Sequence, residues 1–188
     1  MHDDIIKALE TLRSGGIILY PTDTIWGLGC DATNPEAVKK IYDIKKRNDN
    51  KALIILMDSV NRLSRYANNI SDVAFDLIEL SDKPLTIILN DIKFIADNII
   101  NKQDDSVGVR ITKEKFTNTL IQRFKKPIVS TSANISETKT PAIFSEIDNN
   151  IIKNVDYVVK YRQNDTTKSK PSGIIKIDNL NRIKIIRE

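Results

Sequence analysis

The chain of 188 residues has one cysteine and one histidine, and this scarcity excludes several kinds of chemistry. A single cysteine, Cys30, cannot form an internal disulfide, which favours a reducing cytosolic compartment. The histidine, His2, lies at the N-terminus, so a Ser-His-Asp triad or a His-rich metal site has no positioned imidazole. Any chemistry must then use Lys, Arg, Ser, Thr, Asn, Asp and the backbone, a set that suits phosphate handling better than hydrolysis.

Long apolar segments are also missing. The N-terminus, with Asp3 and Asp4 among its first four residues, is acidic and no long uncharged hydrophobic run follows, so neither a secretory signal nor a membrane span is expected. Forty percent apolar and 29% charged residues are typical of a globular protein, and the length predicts one domain over residues 1–188. Neither GxGxxG nor GxxxxGK(S/T) occurs, so a nucleotide would need some other binding arrangement.

The positive charge is concentrated in the C-terminal part of the chain. The net charge is +4, and residues 153–188 contain nine Lys or Arg against four acidic residues. A basic face of this kind could contact the phosphates of RNA. A solvated surface explains the same pattern.

Hydrophobic patterning predicts alternating helices and strands, which indicate a single α/β (α+β) layered domain with a mixed sheet. We predict helices over 3–14, 36–46, 59–66, 71–81 and 113–124, a loop over 22–35, and strands over 17–20, 53–57, 85–89, 107–111, 128–129, 157–159, 173–177 and 183–186. Several of these strands lie outside simple β-α-β units, so a plain Rossmann strand order is not expected.

Polar residues follow the first predicted strand in the segment YPTDTIWGLG, residues 20–29. Hydroxyls and a carboxylate at the C-terminal end of a strand lie where open α/β sheets usually bind ligands. The same side chains could instead cap backbone N–H groups in a turn. We expect Trp26 to be a core residue rather than a stacking platform.

A second cluster is basic and consists of residues 45–47, with sequence KKR, and Lys51. Cations at the end of a helix are favoured by the helix dipole, which accounts for one or two of them. Lys51, just before a buried strand, is less easily explained in this way. Converging Lys and Arg side chains could offset the charge of a triphosphate, although a solvated basic face is the commoner outcome.

The third cluster, Ser130-Thr131-Ser132-Ala133-Asn134, is predicted to be a turn after the strand Ile128-Val129. Small hydroxyl residues let the backbone approach a ligand closely, and their O–H and N–H groups can donate to phosphate oxygens. One polar residue would suffice as a helix cap, and this run of five small residues, with three hydroxyls and one amide, exceeds that need. Arg110, at the end of another predicted strand, is a further cation that could face the same ligand.

In this order, the segments resemble the TsaC/YrdC family of L-threonylcarbamoyladenylate synthases. The matching motifs are YPTDTIWGLGCDA from residue 20, KxR at 45–47 with Lys51, PLTIIL at 84–89, SVGVRIT at 106–112, PIVSTSANIS at 127–136 and KPSGIIKID at 170–178. The resemblance covers about residues 10–178 and implies a twisted sheet with flanking helices and a large concave cleft.

The resemblance also implies a reaction. L-threonine, bicarbonate or CO2, and ATP would give threonylcarbamoyl-AMP and pyrophosphate for the modification of tRNA, with separate proteins completing the transfer. Mg2+ would arrive with ATP, held mainly by phosphate oxygens and water. Carried over to this chain, the family pattern assigns Lys45, Arg47 and Lys51 to the phosphates and carbamate. It assigns Ser130, Ser132 and Asn134 to the nucleotide, with Thr86 and Ser172 at positions beside it. Arg110 is assigned to the α-phosphate or the threonine carboxylate, and Thr22 and Thr24 to threonine.

Three positions depart from the family pattern. Asn48 replaces the usual Pro after KxR, Lys83 interrupts the usual PGP turn, and Gly173 replaces the Thr of PST. Two alternatives to the synthase stay open from the sequence: a non-catalytic double-stranded RNA-binding module of the same fold, and a related carbamoyl-handling enzyme with another amine or acceptor.

Overall fold

The computed structural model describes residues 1–46, 53–67, 70–178 and 181–188. Within these ranges the helices and strands are, in chain order, α1 (His2–Arg13), β1 (Ile18–Tyr20), β2 (Gly27–Gly29), α2 (Pro35–Lys45), β3 (Ile54–Met57), α3 (Val60–Leu63), α4 (Asp72–Leu80), β4 (Leu85–Asn90), β5 (Ser106–Ile111), α5 (Lys115–Phe124), β6 (Ile128–Ser132), α6 (Asn149–Lys153), β7 (Tyr157–Val158), β8 (Gly173–Ile177) and β9 (Ile183–Arg187). Single 3-10 turns occur at Asp97–Ile99 and Phe144–Glu146.

The nine strands of the described residues form one sheet in the order β7-β1-β2-β6-β3-β5-β4-β8-β9. Three neighbouring pairs are parallel (β1 with β7, β3 with β5, β4 with β8), and the other five are antiparallel. The prediction of a mixed sheet with a strand order unlike the plain Rossmann fold is therefore confirmed.

Local sequence signals explain where the helices begin and end. The Asn34 side chain accepts hydrogen bonds from the backbone N–H groups of Glu36 and Ala37, and Pro35 occupies the first turn of α2. Glu114 caps α5 by accepting from the backbone N–H of Thr117. α1 ends at Arg13, and two residues later Gly15 turns the chain with a φ of 73°, in the left-handed region that glycine adopts without strain.

The core lies between the sheet and the helices packed on it. α5 buries its apolar face, formed by Phe116, Leu120, Ile121 and Phe124, and it also contacts α1. Cys30 is buried, and burial, with a smaller contribution from Asp31, raises the pKa of its thiol. No helix in the described part of the chain is long and apolar enough to cross a membrane.

Two predicted segments differ from the structure, and both differences involve the same pair of strands. The predicted loop 22–35 contains β2, which pairs with β1 on one side and β6 on the other. The predicted turn at 130–134 is instead the end of β6 as far as Ser132, paired with Gly27. Gly-Leu-Gly has little strand propensity of its own, so this pairing depends on tertiary contacts.

A close approach explains why glycine stands at position 29 of β2. A Cβ atom there would lie 2.6 Å from Cε1 of Tyr20 and 2.8 Å from the carbonyl oxygen of Val129. Only a residue without a side chain therefore fits between these neighbours. The short helix α6 was also missed, since its five residues are too few for a clear helical period.

Candidate active site

A cleft of about 280 Å3 lies beside the ends of β1 and β6, with Arg110 of β5 and residues of the late strands β8 and β9 completing its lining. It brings together residues from seven separate parts of the chain. Its lining consists of Thr22, Thr24, Ile25, Trp26, Gly27, Leu53, Ile54, Arg110, Ser130, Thr131, Ser132, Thr140, Pro171, Ser172, Ile174 and Arg187. Six predicted site residues (Thr22, Thr24, Arg110, Ser130, Ser132 and Ser172) therefore share one cavity.

The wall formed by β6 is a row of small hydroxyl residues. Ser130 is 4% exposed, and a Cβ atom on Gly27 of the neighbouring strand would lie 3.2 Å from its Oγ. Gly27 therefore keeps space in front of the Ser130 hydroxyl. The strand pairing holds this wall in register and leaves its side chains at the cleft surface.

Thr22 and Thr24 form a second wall, and their side chains also organise the loop that carries them. The Thr22 hydroxyl donates to the carbonyl of Ile25 at 2.7 Å and lies 3.0 Å from the hydroxyl of Thr24. The backbone N–H of Thr24 donates to the same Thr22 oxygen at 3.1 Å. The capping interpretation of this segment is thus correct for Thr22, and both threonines nevertheless line the cleft.

Arg110 supplies a buried positive charge. It is 4% exposed, and its Nη2 lies 3.1 Å from Oδ1 of Asp23. Among the described residues, that carboxylate oxygen and the Nε of Arg110 have no hydrogen-bond partner, so the contact is an ion pair rather than an aligned double hydrogen bond. Burial raises the pKa of the Asp23 carboxyl, and the charge of Arg110 partly opposes this rise.

Arg187, in β9, is a second guanidinium of the cleft and was not singled out from the sequence. Its Nε donates to the carbonyl oxygen of Ser172 at 2.9 Å. Burial, with a smaller contribution from the nearby charge of Arg110, lowers the pKa of Arg187. The sequence showed it only as one of nine basic residues near the C-terminus, because its approach to Arg110 requires β8 and β9 to pair.

Ser172 is 4% exposed, and its hydroxyl lies 2.9 Å from that of Thr86. Thr86, at 1% exposure, lies behind Ser172 and not at the cleft surface. Trp26 is 5% exposed, as a core residue would be, yet it also lines the cleft and packs against Phe144 with ring centroids 4.8 Å apart.

Lys45 and Asn134 lie next to the cleft wall rather than in its lining. The Lys45 side chain is 2% exposed, and its Nζ donates at 2.6 Å to the carbonyl oxygens of both Ser132 and Asn134. The Asn134 side-chain amide donates to the carbonyls of Ile135 and Thr138, while its buried Oδ1 has no hydrogen-bond partner in the described part of the chain. The other two predicted cations, Arg47 and Lys51, lie outside the described residues, as does Asn48.

A cavity that combines two guanidiniums, several hydroxyls and strand-end backbone is suited to an anionic ligand with several phosphate oxygens. The Sua5/YciO/YrdC family model, described as telomere recombination, matches residues 10–188. The chain belongs to this family. The resemblance inferred from the motifs is thereby confirmed.

Individual relatives agree with this membership. The chain is 39% identical over 187 residues to a protein of Methanocaldococcus jannaschii named putative threonylcarbamoyl-AMP synthase, with 97% of this chain and 86% of that protein covered. Among solved structures, E. coli YciO superposes with a TM-score of 0.86 at 25% identity, covering 100% of this chain and 90% of YciO.

A third relative is P. abyssi Sua5, whose crystal structure was determined in complex with L-threonine. It superposes with a TM-score of 0.85 at 26% identity. The alignment covers 97% of this chain and 53% of the Sua5 chain, so the match spans about half of that protein. The predicted fold, a twisted mixed sheet with flanking helices, is confirmed by these superpositions.

Proposed function

We propose that this protein is an L-threonylcarbamoyladenylate synthase, which forms threonylcarbamoyl-AMP and pyrophosphate from L-threonine, bicarbonate or CO2, and ATP. The observation that carries the proposal is the convergence of Arg110, Arg187 and the hydroxyl row of β6 in one cleft, in a family whose curated members bear this name. The wider role proposed is the supply of this adenylate to tRNA modification in the cytoplasm.

The proposed chemistry requires two steps. The amine of threonine adds to CO2 and loses a proton, which gives a carbamate. A carbamate oxygen then attacks the α-phosphorus of ATP, the bond to the β-phosphate oxygen breaks, and pyrophosphate leaves. Such a phosphoryl transfer depends mainly on positioning and charge neutralisation, which fits a site without a placed histidine.

We assign the residues of the cleft according to their place in it. Thr22 and Thr24 would hold threonine, and Ser130 and Ser132 the nucleotide. Arg110, whose charge is partly neutralised by Asp23, would hold the α-phosphate or the threonine carboxylate. We add Arg187 as a cation for the phosphates, with Ser172 beside the nucleotide and Thr86 supporting it through their hydroxyl contact.

The remaining cations are proposed to complete the phosphate site. Lys45, Arg47 and Lys51 keep their proposed roles toward the phosphates and the carbamate. Lys45 has a further role, since its two bonds to backbone carbonyls shape the segment from Ser132 to Asn134 that would face the nucleotide. Mg2+ would enter bound to the phosphates, because the described residues form no group of three or more His, Cys, Asp or Glu suited to a metal ion.

The partners beyond the small substrates are also proposals. The adenylate would be consumed by a separate threonylcarbamoyl-transferase complex acting on tRNA. Direct contact with tRNA or double-stranded RNA through the basic C-terminal part is the alternative role of this fold. The catalytic function is favoured because the curated relatives that cover most of the chain are named as synthases.

Turnover tests the proposal directly. Purified protein with ATP and labelled bicarbonate should release pyrophosphate only when threonine is added, and mass spectrometry should detect the adenylate. Replacing threonine by serine separates this enzyme from one acting on another amine. Release without dependence on threonine, or no release together with tight, salt-sensitive RNA binding, would contradict the synthase.

A matched pair of variants tests the site. Ser132→Ala removes a hydroxyl from the cleft wall and is expected to weaken ATP binding by about tenfold, as for loss of a hydrogen bond to a charged group. Ser14→Ala removes an exposed hydroxyl at the end of α1 and should leave ATP binding unchanged. Equal ATP affinity in the two variants would argue against the assignment of β6 to the nucleotide.

A further inference from the structure

Arg162 lies in the segment between β7 and β8, outside the cleft lining, and it links three parts of the chain around the threonine end of the site. Its Nη1 donates to the carbonyl oxygen of Thr22 at 3.2 Å. The same nitrogen lies 3.8 Å from Oε1 of Glu114, while Nε and Nη2 contact Oδ2 of Asp165 at 3.0 and 2.9 Å. One planar guanidinium therefore joins three parts of the chain: the loop of residues 21–26 between β1 and β2 (the Thr22 loop), the start of α5 and the segment of residues 159–172.

The Thr22 loop is held at two consecutive carbonyl groups. The hydroxyl of Thr117, in α5, donates to the carbonyl of Pro21 at 2.7 Å, and Arg162 donates to the carbonyl of Thr22. Glu114 connects the two contacts, because one of its carboxylate oxygens caps Thr117 and the other faces Arg162. The loop that presents the Thr22 and Thr24 hydroxyls is thus fixed from behind by α5 and Arg162 together.

Arg162 also lies at the start of the segment that closes the opposite wall. Residues 159–172 run from β7 to Pro171 and Ser172, both in the cleft lining. Beside the cleft, Arg162 and Asp165 line a small cavity together with Thr22, Thr24 and Trp26. The bond from Arg162 to the Thr22 carbonyl therefore holds the 159–172 segment against the back of the Thr22 loop, and the contact with Asp165 orients the guanidinium within the segment.

The backbone of Arg162 makes this position unusual. Its φ is 66°, in the left-handed region where an L-residue with a Cβ atom is strained and glycine or asparagine is favoured. A turn alone would be formed more easily by glycine. All three nitrogens of the Arg162 guanidinium group contact other groups, among them the Thr22 carbonyl, which indicates that the side chain serves the structure around Thr22.

We propose that Arg162 is a positioning residue for the threonine end of the site. It acts through the Thr22 carbonyl and sets the position of the Thr22 and Thr24 hydroxyls, without contacting the reacting atoms itself. This inference rests on the proposed function, because it assigns threonine to these two residues. It distinguishes the two substrates, because loss of Arg162 should affect mainly threonine. The nucleotide residues of β6 and β9 lie on other elements, and Ser172, at the far end of the 159–172 segment, is held separately by Thr86 and Arg187.

Arg162→Gly is the decisive variant, because glycine relieves the left-handed backbone while the guanidinium is lost. The KM for threonine should rise about tenfold, while the KM for ATP and kcat stay within about twofold of wild type. Arg162→Lys keeps the charge but lacks the planar fork, and it should recover only part of the threonine affinity.

Lys125→Gly is the matched control. Lys125 is exposed at the end of α5 with a φ of 64°, so its replacement relieves the same strain far from the cleft. It should raise the midpoint of urea unfolding and leave both KM values unchanged. The comparison separates the effect of backbone relief from the loss of the Arg162 side chain.

Asp165→Asn completes a double-mutant cycle with Arg162→Gly. Asp165→Asn alone should raise the threonine KM by a smaller factor, and it should add nothing once Arg162 is absent. An unchanged threonine KM in Arg162→Gly, or equal rises for threonine and ATP with a lower unfolding midpoint, would overturn the positioning role. Wild-type protein that neither binds threonine calorimetrically nor turns it over would instead overturn the proposed function, and the inference with it.

Discussion

Replacing Arg110 by methionine would leave the Asp23 carboxylate buried without its cation. The side chains of this pair are 4% and 11% exposed, and the charged atoms lie 3.1 Å apart. Methionine preserves much of the volume of the arginine stem, so the main change is electrostatic. The expected loss of folding stability can therefore be worked out from the ion pair.

At 3.1 Å, an effective dielectric constant of about 20 gives an attraction of about 5 kcal/mol between the two charges. Part of this attraction only offsets the cost of burying the charges, and removing one partner of a buried pair typically costs about 3–5 kcal/mol. The missing hydrogen-bond partner of Asp23 Oδ1 places this pair at the lower end. We therefore expect Arg110→Met to lower the free energy of unfolding by about 3 kcal/mol at pH 7.

The loss should depend on pH in a direction set by Asp23. Burial raises the pKa of this carboxyl in the folded protein, and Arg110 opposes the rise, so the variant should have a still higher pKa. A raised folded pKa favours the fold below the unfolded pKa of about 3.9, and this advantage is lost as pH rises through the folded value. The deficit of the variant should therefore shrink as the pH is lowered from 7 toward about 4.

Urea unfolding of wild type and Arg110→Met at several pH values measures this deficit. Asp23→Asn and the double variant complete a cycle, in which the double variant should be more stable than Arg110→Met alone at pH 7. Arg182→Met, which removes an arginine 75% exposed, is the control and should change stability by less than about 0.5 kcal/mol. A deficit independent of pH, or additive effects in the cycle, would refute the reasoning.

Three further predictions concern packing and hydrogen bonds. Gly29→Ala should lower stability by about 2 kcal/mol, because the new methyl group would press on the ring of Tyr20. Tyr157→Phe should cost about 1 kcal/mol, since its hydroxyl donates to buried Asp4 at 2.7 Å. Lys45→Met should abolish turnover and also lower stability by about 2 kcal/mol, because two backbone carbonyls lose their donor. Urea unfolding checks all three, and pyrophosphate release checks the last.

Each of these has a contradicting result and a control. Gly173→Ala, at a glycine whose added Cβ would have no neighbour closer than 3.6 Å, should be tolerated, so equal losses for it and Gly29→Ala would refute the packing argument. Tyr66→Phe removes the hydroxyl of another half-buried tyrosine, away from Asp4, and serves as the control for Tyr157→Phe. A Lys45→Met protein with wild-type stability would mean that the two carbonyl contacts contribute nothing to the fold.

Most of the fold could be predicted from local patterns. Apolar periodicity predicted the helix ending before Gly15 and the strands that became β3, β4, β5 and β8, within one or two residues. The missed strand β2 has the sequence Gly-Leu-Gly, whose local propensity favours a turn. Its pairing with β1 and β6 is determined by neighbours about 10 and 100 residues away, which no local window includes.

The residues of the candidate site also include some that the sequence predicted and one that it could not. Thr22, Arg110 and Ser130 lie at or just after the ends of predicted strands, and that placement predicted them as ligand-facing residues before the fold was known. Arg187 could not be singled out, because only the antiparallel pairing of β8 with β9 brings it to Ser172. Their roles toward threonine and ATP stay predictions until the substrates are tested.

By itself the sequence determined the family, the alternation of helices and strands, and the residue types available for chemistry. These properties follow from the local order of residues, from the spacing of the motifs and from the scarcity of cysteine and histidine. Only the tertiary structure decided that Lys45 binds backbone carbonyls, that Arg110 pairs with Asp23, and that Arg162 reaches Thr22 from 140 residues away. Such contacts depend on the distances and burial that long-range packing creates, and the spacing of residues along the chain does not encode them individually.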